Sequence, residues 1–96
     1  MTNEIKNKPL NATEARAISD KFKRDVDNAL EEISVYIKEA AENGENLIEY
    51  TVSTNSQKVY NVYNEVANIL SDELDYEVLL LQARGTADGF ELSIKW

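Results

Sequence analysis

Cysteine and histidine are both missing from this sequence. Without cysteine there is no disulfide framework, no thiolate zinc site and no thiol nucleophile. Without histidine the commonest metal ligand, the usual general base near neutral pH and every Ser-His or Cys-His arrangement are lost as well. Carboxylate chemistry with Mg²⁺ survives, as does a mechanism built on Lys or Tyr. No catalytic signature stands out, so the expectation is a protein that is not an enzyme, with no catalytic residue, no metal and no cofactor.

Positive charge is scarce too. Ten Lys and Arg against eighteen Asp and Glu leave a net charge of −8. Such a surface repels phosphate backbones and anionic membranes. Direct nucleic-acid and membrane binding are therefore not expected, and a protein partner with a basic surface is the natural complement. No apolar run approaches the roughly 18 residues of a membrane helix. The start "MTNEIKNKPL" lacks the apolar core of a signal peptide, which points to the cytoplasm.

What is present suits a small globular fold. The chain has 96 residues, 43% hydrophobic and 29% charged, which makes one domain near the lower size limit for an unstapled core. Residues 1–9, with the single proline, read as a loose arm; residues 10–96 read as a single α+β domain. "LNATEA" carries a helix start, with Asn11 as N-cap, Glu14 reaching back to complete a capping box, and Leu10 placed to staple against Ala15. Ala15, Ile18, Phe22, Val26, Ala29, Ile33, Ile37 and Ala40 then recur at steps of three and four, one stripe of a long helix. The helix should stop at "ENG", with Gly44 in the left-handed conformation. At about 1.5 Å per residue such a rod outruns the core of so small a domain, which argues for a dimer or higher homo-oligomer.

"NLIEYTV" alternates like a half-buried strand, and "STNS" supplies capping residues for a second helix over about Asn55 to Leu74. Its stripe is Val59, Val62, Tyr63, Val66, Ile69 and Leu70, with Tyr60 lying toward solvent. Asp75 stands in the turn that follows, as one of the few residues that tolerate positive φ. "YEVLLLQAR" is apolar on both faces, which fits either a central strand or a strand with one face kept for a partner. "FELSIKW" alternates cleanly. The order is α-β-α-β-β, a three-stranded sheet with a C-terminal hairpin backed by one long and one shorter helix.

Three stretches are candidate sites. "RGTADG" places Arg84 and Thr86 beside Gly85 and Gly89. A phosphate loop needs a following helix whose amides face the ligand, and here a strand follows, so a hairpin loop "GTADG" is favoured. "DELDYE" packs Asp72, Glu73, Asp75 and Glu77 into six residues, a solvated turn or a docking patch for a basic partner; the spacing does not fit a calcium loop. Tyr60, an exposed aromatic on an acidic helix, suits an interface anchor. On the first helix, Lys21, Lys23 and Arg24 lie among acids, and pairs such as Asp20 with Arg24 have favourable i, i+4 spacing. In an alternative reading Arg84, Thr86, Lys21 and Arg24 grip a nucleotide.

The opening "EAR" at Glu14 to Arg16 with Ser19 one turn on, the long helix ending "AAENG" and the closing "FELSIKW" together resemble small accessory proteins of tailed bacteriophages. The likeness spans residues 10–96, although Asp75 replaces the glycine expected in "LGYxV". The resemblance implies the cytoplasm of an infected bacterial host and supplies no functional residue. Small acidic proteins of that kind imply inhibitors, sometimes DNA mimics. Here the acids are interleaved with lysine and arginine instead of forming the dense rows that duplex mimicry needs. The expected function is thus a non-enzymatic protein that binds and inhibits a host or antiviral-defence protein. The alternatives are an oligomeric sponge for a nucleotide-type signal and a structural or assembly component of the virion.

Overall fold

The structure, a computed structural model, describes residues 9–82 and 89–96. The elements are α1 (Ala12–Glu42), β1 (Leu47–Val52), α2 (Gln57–Asp72), β2 (Glu77–Gln82) and β3 (Phe90–Lys95), in the expected α+β order. Residues 1–8 of the arm expected over 1–9, and residues 83–88 with most of the expected loop "GTADG", including Gly85, lie outside the described residues.

Local chemistry accounts for the element ends. The Asn11 side chain accepts from the Glu14 amide at 2.8 Å while the Glu14 carboxylate accepts from the Asn11 amide at 3.1 Å, completing the capping box. Leu10 itself stays exposed instead of stapling the first turn. At the other end of α1, Gly44 adopts φ 83°. Its amide donates to Ala41 O at 3.0 Å and the Glu45 amide to Ala40 O at 2.9 Å, the two bonds of a Schellman motif. α2 starts later than "STNS" alone suggests, because it is Ser56 whose hydroxyl accepts from the Val59 amide, at 3.3 Å. Asp75 takes φ 66° as expected, and the Tyr76 amide closes that turn on Leu70 O at 2.9 Å.

β3 lies in the middle of the sheet and pairs antiparallel with β1 on one side and β2 on the other. β1 and β2 therefore run parallel to each other with a strand between them, a split β-α-β arrangement. Between the two readings of β2, this corrects the central-strand one: β2 is an edge strand. The physical reason lies in β3, whose polar residues Glu91 and Ser93 are shielded on both sides by neighbouring strands and are only partly exposed.

Both helices pack on one face of the sheet. Even-numbered strand residues point inward, where Phe90, Leu92 and Ile94 are buried, flanked by Ile48, Tyr50 and Val52 from β1 and Val78 and Leu80 from β2. Val26, Ala29, Ile33 and Ile37 of α1 and Val66, Ala67 and Leu70 of α2 complete the core. Ile33, Val66, Leu70, Leu92 and Ile94 are fully buried. At the end of β3, Trp96 meets Tyr76 edge to face at 6.1 Å, and its amide donates to Asn46 O at 3.0 Å.

The core begins only at Val26. Of the eight-residue stripe, Ile18 and Phe22 are exposed at 58% and 38%, so the first half of α1 projects beyond the domain. The radius of gyration is 17.0 Å and the long dimension 61 Å, against about 12 Å for the radius of a compact chain of this length.

Candidate functional site

The outward face of the sheet is covered by no described element. Its cross-strand rows follow from the register. Leu47, Lys95 and Glu77 form one row, Glu49, Ser93 and Leu79 the next, Thr51, Glu91 and Leu81 the third. Leu79 is 61% exposed, Leu81 48% and Leu47 42%. Two exposed leucines on one edge strand thus share this face with Glu77, Glu91 and, across β3, Glu49; among the described residues Lys95 is its one base. An exposed apolar pair bordered by charged residues is a composition found in protein-binding patches.

The acidic turn runs into that face. Asp72 ends α2, Glu73 caps it, Asp75 occupies the left-handed turn and Glu77 opens β2. All are exposed. Negative charge at a helix C-terminus costs about 0.3 to 1 kcal/mol per exposed group, and no base lies in the last turn of α2. Among the described residues, no group of three or more Asp or Glu is arranged to hold a metal ion. Glu77 therefore joins the leucine face, with Asp72, Glu73 and Asp75 in the turn that leads to it.

Tyr60 does not share this patch. Twelve helical residues, about 18 Å, separate it from Asp72. It packs edge to face on Phe90 at 5.4 Å and remains 38% exposed. It ends an aromatic series that continues from Phe90 to Tyr63 at 5.6 Å, Tyr50 at 5.9 Å and Tyr36 at 5.6 Å. The series links α1, β1, α2 and β3.

Within it, the Tyr50 hydroxyl donates to the Glu32 carboxylate, across 18 positions of sequence. Burial above all, then the bond to Glu32 and the neighbouring Tyr63, push the Tyr50 hydroxyl well above the ordinary tyrosine range. A phenol held protonated in this way is a structural donor and not a base.

Of the nucleotide reading, only Lys21 and Arg24 fall among the described residues. Arg84 and Thr86 lie outside the described residues. Lys21 pairs with Asp25 at 3.0 Å, so the i, i+4 pair on this helix is not the expected Asp20 with Arg24. Lys21 also lines a cleft of about 420 Å³ between α1 and α2, together with Lys58, Ile18, Phe22, Val59 and Val62; Arg24 does not. Sequence reasoning missed Lys58 and the Tyr50–Glu32 bond, and held the leucine face only as one of two readings of β2. The signal for that face was the leucines at odd positions of β2.

No family model, no curated protein and no solved structure matches the chain.

Proposed function

We propose that this chain is a non-enzymatic interaction protein that uses the outward face of its sheet to bind and inhibit another protein, one carrying basic residues around an apolar projection. The observation that carries this reading is the exposed pair Leu79 and Leu81 next to Glu77 and Glu91, with Glu49 across β3 on the same face. Apolar contact supplies affinity at the centre of such a patch, while the acids select the partner and speed its approach. The acids of the preceding turn extend the same field. The resemblance to small accessory proteins of tailed bacteriophages supports a target among host or antiviral-defence proteins in an infected bacterium.

Capture from bacterial lysate, with the wild-type chain and a Leu79→Lys chain as parallel baits, tests the proposal. A partner held by the wild type, lost by Leu79→Lys and inhibited when purified supports it. The on-rate of that partner should fall steeply with added salt, because the attraction is screened within about 10 Å at 0.1 M. Recovery of nothing but the chain itself across several hosts would overturn the reading.

A further inference from the structure

The apolar stripe of α1 repeats every 11 residues. Ala15, Ile18 and Phe22 recur as Val26, Ala29 and Ile33, and again from Ile37 and Ala40. Eleven residues fill three helical turns with little drift, so all these units look in one direction. The second unit is buried in the domain core. The first looks the same way and meets only the cleft beside α2, where Ile18 and Phe22 face Val59 and Val62.

We infer that a second copy of this chain fills that ledge, its own projecting half of α1 lying antiparallel along the first so that each Ile18–Phe22 surface covers the other. Charge decides for a second copy over a foreign acidic or basic partner. Residues 12–28 hold Arg16, Lys21, Lys23 and Arg24 against Glu14, Asp20, Asp25 and Asp27, a balance of zero. The rest of the chain therefore carries the entire −8. The projecting half-helix is the part of a strongly acidic molecule where two copies meet without net repulsion. The sheet face, with three glutamates to one lysine among the described residues, repels its own kind.

Direction follows from the same distribution. Parallel pairing sets the two acidic cores side by side, whereas antiparallel pairing puts them at opposite ends and opposes the helix dipoles. The contact is isologous and closes on itself, so it yields a dimer and not a fibre. It is independent of the sheet face proposed above.

Sedimentation velocity of the full chain from 1 to 100 µM gives the first test. The expected mass is twice 10.9 kDa, with Phe22→Asp raising the dissociation constant at least tenfold while its circular dichroism stays helical. Ile18→Asp is the second variant should Phe22→Asp fold poorly. Because the chain has no cysteine, one spin label at Thr13→Cys reads the geometry. With the two-fold axis between Ile18 and Phe22, antiparallel backbones at position 13 stand about 20 Å apart, against about 10 Å for a parallel pair. A monomer at every concentration, a dimer indifferent to both substitutions, or the short label distance would each overturn the inference. Leu79→Lys should leave the dimer mass unchanged, which separates this contact from the sheet face.

Discussion

Tyr50 of β1 donates its phenolic proton to Glu32 of α1, tying the edge of the sheet to the long helix at the level where Ile33 is buried. Tyr50→Phe keeps the ring packing on Tyr36 and Tyr63 and removes only this bond, at a cost of about 1 kcal/mol. Glu32→Ala should cost a similar amount. The double variant should then cost little more than either single one in urea unfolding, because both remove the same interaction.

The same bond gives a pH dependence at the alkaline end. The Tyr50 hydroxyl is raised above its unfolded value, which lies near 10. Below that value both states are protonated and the contribution is complete. Above it the unfolded chain releases a proton that the folded chain retains, so stability falls as pH rises. Absorbance titration of the folded protein should show a late tyrosine ionisation that is released on unfolding. In Tyr50→Phe the late step should vanish; its absence from the wild type would contradict the half-buried, carboxylate-bound phenol.

Two glycines separate strain from crowding. Gly44 takes φ 83° with open space where a side chain would begin, whereas Gly89 takes φ 130° and a Cβ there would stand 2.8 Å from Val52 O. Gly44→Ala should cost about 1 kcal/mol, the left-handed penalty alone. Gly89→Ala adds a backbone collision where β3 enters the sheet beside β1 and should cost about 1 to 3 kcal/mol or more. Thermal unfolding of the two variants checks the order, and equal losses would refute it.

Much of this fold was legible because it is local. The Asn11–Glu14 box, the Gly44 stop and the Asp75 turn each depend on a few adjacent residues, and the buried part of the α1 stripe follows helical spacing. Strand order is not local. A run such as "VLLL" has the same pattern whether its second face is buried by neighbours or left open for binding, and only the placement of β3 between β1 and β2 distinguishes them. The Tyr50–Glu32 bond and the Lys21–Lys58 cleft likewise join residues far apart in sequence. Tyr60 was placed correctly toward solvent, yet nothing in the sequence measures its distance from the acidic turn.

Asp75 lets folding and recognition be tested apart. Its φ of 66° is readily taken by Gly and Asn and poorly by β-branched residues. Asp75→Gly should hold or raise stability by up to about 1 kcal/mol, and Asp75→Val should lower it by about 1 to 2 kcal/mol. Asp75→Asn keeps the turn and removes one charge. If the acidic turn steers a basic partner, Asp75→Asn combined with Glu77→Gln should slow association several-fold while urea unfolding stays within about 0.5 kcal/mol of wild type.

Leu79 and Leu92 put the openness of the sheet face to a direct test. Leu92 is fully buried on the inward face of the central strand, and Leu79 is 61% exposed on the outward face of its neighbour. Leu92→Ala leaves a cavity among Ile33, Leu70 and Ile94 and should cost about 2 to 5 kcal/mol, enough to lower the melting temperature by roughly ten degrees or more in a domain of this size. Leu79→Lys removes no core contact, adds a lysine suited to an edge strand and should change stability by less than about 0.5 kcal/mol. Partner capture should show the reverse order: a conservative core change such as Ile94→Val leaves binding intact, while Leu79→Lys abolishes it. A large stability loss from Leu79→Lys in the isolated protein would mean that the face is already covered in solution and is not free to receive a partner.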